Sequence, residues 1–543
     1  MSVYAYMFEV RGIQSFLFSS GKLKDLVSGS ELIDFLCKQP LQEVLKVCGL
    51  EHYDSQQHSP RCAGGSFYLL IENRESADRL KNIWPLVVEQ LLPGVEQVSV
   101  LSEGETAKQA ISAGLNKLRS ARNYIIPQLP AAGPVAQRNP RTGNVAVVQK
   151  AGESLDLASH KKRQFTRPQS EESLSLAARF SENRTLKWPD NFEASGPLDR
   201  RFPMENESHV AIVHADGNGL GEVLRVVNSV ASTLSDADYI KLYRSFSDGL
   251  EKATVRSCQI ACREVLEQHA VNDVVPARPI VLGGDDLTLI VRADLALNFT
   301  QAFANAFEVK TKEFLQQLNE QIKQFDEEYV SALPDYLSVC AGLSFIKPSQ
   351  PFAQSYQLAE SLCDQAKKMS RHSRKSEQDI IPSSLSFHWV QSTLIEDAES
   401  LFIQEKVAHG LHSSVPDLAL GFKAYRIGQS TSDDSTLPEL SDLMDITKLL
   451  VTSEGLNQKR LRKLATLLHL DRTSAEREYA RWRELASQAV PQELEQFDSL
   501  LHKILGSASN NLPADMSQTQ SPLADLLVLE KVIDSTQGVE YES

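Results

Sequence analysis

The segment PIVLGGDDLTLIV, residues 279–291, constrains the fold of this chain more than any other stretch. Two apolar runs of strand length flank a short turn, and this pattern predicts a tight β-hairpin between buried strands. Gly283 and Gly284 lead into the turn, and Asp285 and Asp286 lie at its tip. Paired aspartates can also be ordinary turn residues. The hairpin alone therefore leaves open whether the acidic pair is catalytic or structural.

A second motif, HADGNGLG at residues 214–221, precedes the hairpin within the same block of sequence. The apolar strand before it places Asp216 at the C-terminal end of the strand, and the glycines then open a helix. Free backbone N–H groups at a helix N-terminus favour phosphate, and glycine lets a ligand approach the backbone closely. The two motifs in this order favour the catalytic interpretation of the hairpin.

Three carboxylates on neighbouring strands suit nucleotidyl transfer. That reaction uses two divalent cations about 3.5–4 Å apart, and Mg²⁺ prefers carboxylate and phosphate oxygens. We therefore predict Asp216, Asp285 and Asp286 as catalytic residues and as ligands for Mg²⁺ or Mn²⁺. The glycine-rich residues around them are the predicted nucleotide-binding positions: Gly217, Asn218, Gly219, Gly221, Gly283 and Gly284.

A third segment, LSVCAGLSFIK at residues 337–347, is followed by a helical pattern that includes Lys367. A strand of small residues and a helix ending in lysines would suit a nucleotide pocket with a lysine on phosphate. Ser344, Lys347 and Lys367 are therefore further candidate nucleotide-binding residues. The alternative is a core strand beside an exposed lysine face. That alternative is favoured for Lys347 taken alone, and the two interpretations are nearly balanced for Lys367.

The order of elements predicts an α/β (α+β) fold with two ferredoxin-like or palm-type units and a helical C-terminal domain. The boundaries that we expect are 1–104, 105–205 for a helix and connector, 206–395, and 396–543. Residues 14–38 have helical spacing that is interrupted at residues 28–30, and strand patterns stop after about residue 395. The similar order of elements in the two units makes an internal duplication plausible.

Composition narrows the class of protein. A formal net charge of −15 argues against binding nucleic acid by bulk electrostatics, although local basic grooves remain possible. Seven cysteines without a CxxC pair argue against a disulfide scaffold and against a Cys₄ zinc site. No run of about 18 apolar residues exists, so we expect no membrane span and a cytoplasmic location.

HADGNGLG, PIVLGGDDLTLIV and SVCAGLSFIK…AESLCDQAKK together resemble the catalytic palm of the large, polymerase/cyclase-like subunit of type III CRISPR effector complexes. More distantly, they resemble GGDEF diguanylate cyclases. The segments RGIQSFLFSSGKLKDLVSGSELIDFL and CAGGSFYLLIEN are similar to the first, inactive palm of the same subunit. The resemblance thus covers both palms, a little over half of the chain, and is vague in the helical tail.

The resemblance implies an activity in antiviral defence. In that family the second palm polymerises ATP into cyclic oligoadenylate messengers after target RNA binds through the guide complex. ATP would be the substrate, with Asp216, Asp285 and Asp286 on Mg²⁺ and with Lys367 and residues 217–221 on the triphosphate. The implied partners are a backbone subunit against the palms, a small-subunit stack against the C-terminal helices, and guide and target RNA held by the complex.

Three departures from the family pattern lead to further expectations. The chain begins directly at the first palm and none of its 12 histidines precedes an aspartate, so we expect no HD nuclease activity. The region between the palms lacks cysteines, so we expect no structural zinc. Residues 63–66 read AGGS where the second palm has GGDD, so we expect the first palm to be degenerate.

Two alternative functions remain open at this stage. The chain could be a stand-alone defence nucleotide cyclase that is not tied to a guide RNA, because nuclease and zinc modules are missing. It could also be a catalytically silent scaffold, although the three intact aspartates argue against that. The sequence does not decide the ring size, linkage or base preference of a product.

Overall fold

The computed structural model describes residues 2–53, 58–63, 65–124, 132–150, 152–166, 175–192, 200–205, 207–325, 332–376, 379–391, 397–410, 416–429 and 436–534. Two α/β units and a helical C-terminal part follow one another along the chain. The predicted fold class is confirmed.

The first α/β unit is a four-stranded antiparallel sheet with helices packed against it. The strands lie in the order β2-β3-β1-β4, so the N-terminal strand is central. Helix α5 packs against β4 and β1, and the unit therefore extends beyond residue 104. Its elements are β1 (Val3–Arg11), α1 (Ile13–Phe18), α2 (Leu23–Leu36), α3 (Gln39–Val47), β2 (Arg61–Ala63), β3 (Ser66–Ile71), α4 (Arg74–Leu91), β4 (Glu96–Gly104) and α5 (Ala107–Ala121).

The second α/β unit is a six-stranded sheet in the order β14-β11-β10-β7-β9-β8. All neighbouring strands are antiparallel except β10 and β11. Its elements are β7 (Val210–Gly217), α8 (Leu220–Ala231), α9 (Asp236–Ala261), β8 (Ala277–Gly283), β9 (Asp286–Arg292), α10 (Ala293–Phe325), β10 (Val339–Ile346), α11 (Phe352–Ser373) and β11 (Ser384–Trp389), with β14 (Tyr425–Arg426) added from the following region. Strand pairing therefore continues past residue 395, where the sequence analysis expected it to stop.

The two units repeat one arrangement of four strands. The order β2-β3-β1-β4 in the first matches β8-β9-β7-β10 in the second, with antiparallel pairing throughout. In each unit, a central strand pairs on one side with a hairpin and on the other with a strand that follows a helix. This correspondence supports the internal duplication that the order of elements predicts.

Alternate residues of the central strand β1 enter two different cores. Ala5 and Met7 lie in one core and Tyr6 and Phe8 lie in the other, as expected for side chains that alternate across a strand. Both cores also contain residues of the second unit, for example Val213 in the first and Ile212 in the second. The two units are therefore packed against each other through shared apolar cores.

The helical break in the first unit differs from the predicted one. The chain turns at Gly21, which has a φ of +66°, and α2 then runs without interruption through residues 28–30. A Cβ on Gly29 would lie 3.2 Å from Cε of Lys162. The glycine at this position therefore makes room for a lysine from the connector and does not end the helix.

The connector between the units has more structure than its lack of periodicity predicts. It contains β5 (Val148–Lys150), β6 (Glu153–Leu155), α6 (Leu157–Gln164) and α7 (Leu176–Phe180). Lys162 on α6 is fully buried, and its Nζ donates to the backbone carbonyl of Phe16 and to Oγ of Ser19, 3.3 Å away. The neighbouring Arg163 donates to Asp25 at 2.6 Å. The connector is thus fixed to α1 and α2 by charged groups.

The C-terminal part is mainly helical, as the sequence predicts. Its helices bury leucine-rich faces in the core that contains Ala5 and Met7. Its elements are α12 (Ala398–Lys406), β12 (Val407–Ala408), β13 (Leu418–Ala419), α13 (Leu440–Thr452), α14 (Gln458–Leu468), α15 (Arg472–Ala489), α16 (Pro491–Leu505) and α17 (Leu523–Asp534). Within the part of the chain that the structure describes, no helix combines the length and apolarity needed to cross a bilayer.

Candidate active site

Strand β7 carries the first acidic residue of the site. Residues 210–215 are buried, and Asp216 follows at the edge of the sheet with a side chain that is 30% exposed. The next residue, Gly217, faces the hairpin closely: a Cβ at this position would lie 2.8 Å from Cβ of Asp285. Any larger residue would therefore force the strand and the hairpin apart.

The hairpin of β8 and β9 supplies the other two acidic residues. Gly283 pairs with Asp286, which leaves Gly284 and Asp285 as a two-residue turn. Gly284 has a φ of +62°, in the left-handed region that glycine adopts without steric cost because it has no Cβ. The turn therefore needs a glycine at its first central position, and the aspartates are held at a rigid hairpin tip.

The three carboxylates form one cluster. Oxygen atoms of Asp216, Asp285 and Asp286 all lie within 4.8 Å of one another. The strand register explains this proximity. Ala215 of β7 pairs with Leu287 of β9, so Asp216, which follows Ala215, lies opposite Asp286, which precedes Leu287. Among the described residues, this is the one group of three acidic, histidine or cysteine side chains close enough to share a metal ion.

The electrostatics of the cluster favour a cation. Burial raises the pKa of Asp285 and of Asp286 above the usual range for aspartate, and the negative charge of Asp216 raises both further. Nζ of Lys367 is hydrogen-bonded to Asp216. Burial is the largest single effect on Lys367 and lowers its pKa, but the hydrogen bond and the charge of Asp216, together with Cys363 and Cys340, outweigh burial and the net shift of the pKa is upward. One lysine faces three carboxylates, so the site has unbalanced negative charge that a divalent cation would neutralise.

His214 lies beneath the cluster and was not singled out by sequence reasoning. It is buried, its Nδ1 is 3.3 Å from Oγ1 of Thr288, and its ring meets that of Tyr356 edge to face at 5.4 Å. Burial lowers its pKa to about 4, so the ring is neutral at neutral pH. The sequence signal was its position two residues before Asp216, where strand alternation places both side chains on one face.

The glycines of both motifs lie where the sequence analysis predicts. Gly217, Gly219 and Gly221 form the passage from β7 into α8, and Gly219 caps that helix with a φ of +85°. Gly283 and Gly284 form the opposite side at the hairpin. Gly221, Gly283 and Gly284 have open space where a Cβ would be, so the backbone is accessible there.

Asn218 is held in the protein interior. Its amide donates to Oγ of Ser338 and to Sγ of Cys340, each at 3.1 Å, and the residue is buried. Its side chain joins the start of α8 to the strand β10. The described contacts thus give it a structural role beside the site.

The structure does not bring Ser344 and Lys347 to the cluster. Asp216 pairs with Cys340, and β10 runs antiparallel to β7, so Ser344 lies about 13 Å further along the strand and Lys347 lies beyond its far end. Oγ of Ser344 donates to the carbonyl of Ser355 and is fully buried. Lys367 reaches the cluster, whereas Ser344 and Lys347 do not. The strand register that decides this outcome cannot be read from the sequence.

The first unit differs from the second at the equivalent positions. Strand β1 ends at Arg11, whose Nη1 donates to the carbonyl of Arg122 at 2.6 Å. The equivalent hairpin pairs Ala63 with Ser66 and has Gly65 at its tip, while Gly64 lies outside the described residues. By register, Ser66 and Gly65 stand where the second unit has Asp286 and Asp285, and Glu9, which pairs with Ser66, stands where it has Asp216. Glu9 accepts hydrogen bonds from Tyr68 at 2.7 Å and from Arg122 at 3.0 Å, so the first unit keeps one carboxylate of the three and that one is already engaged.

Comparison with known proteins identifies the second unit. Residues 209–375 match the family model described as Cas10/Cmr2, second palm domain. This part of the chain is therefore similar to that domain family, and the resemblance predicted from the motifs of the second palm is confirmed. No curated protein matches the chain.

Solved structures show a similar overall fold. The structure of Csm1 from T. onnurineus matches with a TM-score of 0.52 at 13% identity, over 98% of this chain and 69% of that chain. A Csm1–Csm4 cassette in complex with pppApApA matches with a TM-score of 0.51 at 12% identity, over 98% of this chain and 69% of that chain. At such identities the likeness shows the fold alone.

Proposed function

We propose that this protein is the large subunit of a type III CRISPR effector complex and that its second palm converts ATP into cyclic oligoadenylates. The observation that carries the proposal is the cluster of Asp216, Asp285 and Asp286 beside Lys367 at the edge of a Cas10/Cmr2-type palm. A scaffold would have no need for three carboxylates that repel one another at the end of two buried strands.

The donor set fits Mg²⁺ or Mn²⁺. All three side chains offer carboxylate oxygens, which hard divalent cations prefer, and no soft sulfur ligand belongs to the cluster. Asp216, Asp285 and Asp286 would hold the ions. When bound, such ions activate an attacking hydroxyl and neutralise charge on the transferred phosphoryl group.

The protein's own residues would position the substrates. The accessible backbone at Gly221, Gly283 and Gly284 and the N-terminus of α8 are suited to the triphosphate. Lys367 pairs with Asp216 here and would turn to phosphate once a cation replaces it as the partner of that carboxylate. The 3′-hydroxyl of one ATP would then attack the α-phosphorus of another, forming a phosphodiester bond as pyrophosphate leaves.

The family also suggests the partners. Similar structures contain Csm1 together with Csm4, and we propose that a backbone subunit of this kind binds the palms of this chain. The C-terminal helices would face the small-subunit stack, and guide and target RNA would be held by the assembled complex.

Product analysis tests the function. The chain, alone and in its complex with guide and target RNA, is incubated with ATP and Mg²⁺, and products are identified by mass spectrometry. We expect cyclic oligoadenylates from the wild type and a loss of at least 100-fold for Asp285→Ala/Asp286→Ala. Glu264→Gln, which removes an exposed acid of the same unit, is the matched control. Unchanged product from the double variant would contradict the site, and no cyclic product from the wild type in the complex would contradict the function.

A further inference from the structure

A cavity of about 830 Å³ lies where three separated parts of the chain meet. One wall is the turn before α2, residues 18–24. The second is the connector at residue 141 and residues 190–192, and the third is the loop from β10 to α11, residues 348–353. Helix α11 begins at this cavity with Phe352 and reaches the acidic cluster at Lys367, which is about 22 Å along the helix. The cavity is connected to the candidate active site by a row of rings, because Phe18 of the cavity stacks on Tyr356 at 4.7 Å and Tyr356 meets His214 beneath the acidic cluster at 5.4 Å.

The cavity is positively charged, although the chain as a whole is acidic. Lys22, Lys24 and Arg141 line it, and Asp190 is its single acidic lining residue. Lys22 is paired with Glu153, so its charge is already balanced. Lys24 and Arg141 are exposed, and in the described parts of the chain neither side chain makes an ion pair.

The acidic residue of the cavity has partners of its own. Oδ1 of Asp190 accepts a hydrogen bond from the amide of Asn191 at 2.8 Å, and its Oδ2 is 3.7 Å from Nη1 of Arg200. It therefore leaves Lys24 and Arg141 available to an anion from outside the chain.

Two helices also begin at the cavity without a capping side chain. The N-cap residues are Lys22 for α2 and Pro351 for α11, and neither side chain can accept a hydrogen bond from the helix. Helix α11 has no acidic residue in its first turn, and Asp25 of α2 is engaged by Arg163 at 2.6 Å. The partial positive charge of both N-termini thus adds to that of the cations in the cavity.

We propose that this cavity binds a phosphate group of a nucleotide or of an RNA strand. Two unpaired cations and two uncapped helix starts are all complementary to an anion, and phosphate accepts hydrogen bonds from guanidinium, ammonium and backbone N–H groups alike. The volume accommodates a phosphate together with its nucleoside. Because the site is formed by both palms and the connector, occupancy would bridge the two palms.

The test measures binding of phosphate compounds to the full chain in EDTA, where the acidic cluster repels anions. The probes are inorganic tripolyphosphate, ATP and a ten-nucleotide single-stranded RNA, each titrated by calorimetry. Lys24→Gln/Arg141→Gln removes both free cations, and Lys459→Gln/Arg477→Gln removes two exposed cations of the C-terminal helices as the matched control. We expect tripolyphosphate to bind the first variant at least tenfold more weakly than the wild type and the control.

A second variant excludes a folding artefact. Ala353→Glu places a carboxylate in the cavity at the start of α11, where the helix favours negative charge. We expect its melting temperature to be maintained while tripolyphosphate affinity falls at least tenfold. Among the physiological probes, weaker binding of ATP alone identifies a nucleotide site, and weaker binding of RNA alone identifies a strand. Unchanged binding of all three probes by both variants, or no binding by the wild type, would overturn the proposal.

Discussion

Replacing Asp286 by asparagine should stabilise the protein in the absence of metal. At 4.8 Å and an effective dielectric constant of about 20, each pair of ionised carboxylates in the cluster repels by about 3 kcal/mol. Asp286 takes part in two such pairs. Protonation and the ammonium of Lys367 relieve part of this repulsion, so we expect a net gain of about 2 kcal/mol in the free energy of unfolding at pH 8.

The raised pKa of Asp286 determines how the stability difference between wild type and variant changes with pH. The folded-state pKa of Asp286 lies above the ordinary value of 3.8, first because of burial and then because of Asp216 and Asp285. The wild type therefore has its full stability below that ordinary value and loses stability as pH rises through the raised folded-state pKa. The advantage of Asp286→Asn should be absent near pH 4 and should grow towards pH 8.

Differential scanning calorimetry in EDTA measures this effect. A cooperative unit of 150–250 residues would gain about 4–8 °C in melting temperature from about 2 kcal/mol. The shared apolar cores make the cooperative unit of this chain larger, so we expect a rise of about 2–4 °C. Addition of Mg²⁺ should raise the melting temperature of the wild type and leave the variant nearly unchanged. Glu264→Gln is the control for removal of an exposed acid. A variant that melts at or below the wild-type temperature in EDTA at pH 8 would refute the reasoning.

Three further substitutions probe the surroundings of the site. Gly217→Ala adds a Cβ 2.8 Å from Cβ of Asp285; we expect at least a tenfold loss of ATP turnover with about 1–3 kcal/mol of destabilisation, and full turnover would contradict the close approach. Lys162→Met removes a buried ammonium whose pKa burial lowers to about 8. The wild type should gain stability between about pH 8 and 10.5, because over that range Lys162 loses its proton in the folded state and keeps it in the unfolded state. Urea titrations of the variant should show no such gain. Glu31→Ala leaves the buried Arg278, 3.7 Å away, without this carboxylate; we expect about 3 kcal/mol of destabilisation, and an unchanged urea midpoint would show that the pair does not hold the palms together.

Local chemistry explains what could be predicted from the sequence. Apolar runs that end in glycine and aspartate specify strand, turn and hairpin tip without distant information, so Asp216, Asp285 and Asp286 were found at the correct ends of their strands. For Lys367, a lysine near the end of the helix that follows the third motif, the two interpretations from sequence are nearly balanced, and the structure places its Nζ against Asp216. The roles assigned to these residues remain predictions for experiment.

Non-local packing explains what could not be predicted. Ser344 and Lys347 belong to the same motif as the site residues, but the antiparallel register of β10 carries them away from it. Gly29 looks like a helix breaker in sequence, whereas the structure shows that it accommodates Lys162 from a segment more than 100 residues away. The connector has no periodicity because charged side chains that reach α1 and α2 hold it in place.

Sulfur substitution at the reacting phosphate tests the central claim most directly. The assembled complex is supplied with the two diastereomers of ATP that carry sulfur on the α-phosphate, in Mg²⁺ and then in Mn²⁺ or Cd²⁺. If carboxylate-held cations contact that phosphate, one diastereomer should react at least tenfold more slowly in Mg²⁺ and should recover with the softer metal, because sulfur binds Mg²⁺ poorly. Equal rates for both diastereomers with every metal would contradict a metal-dependent transfer at Asp216, Asp285 and Asp286.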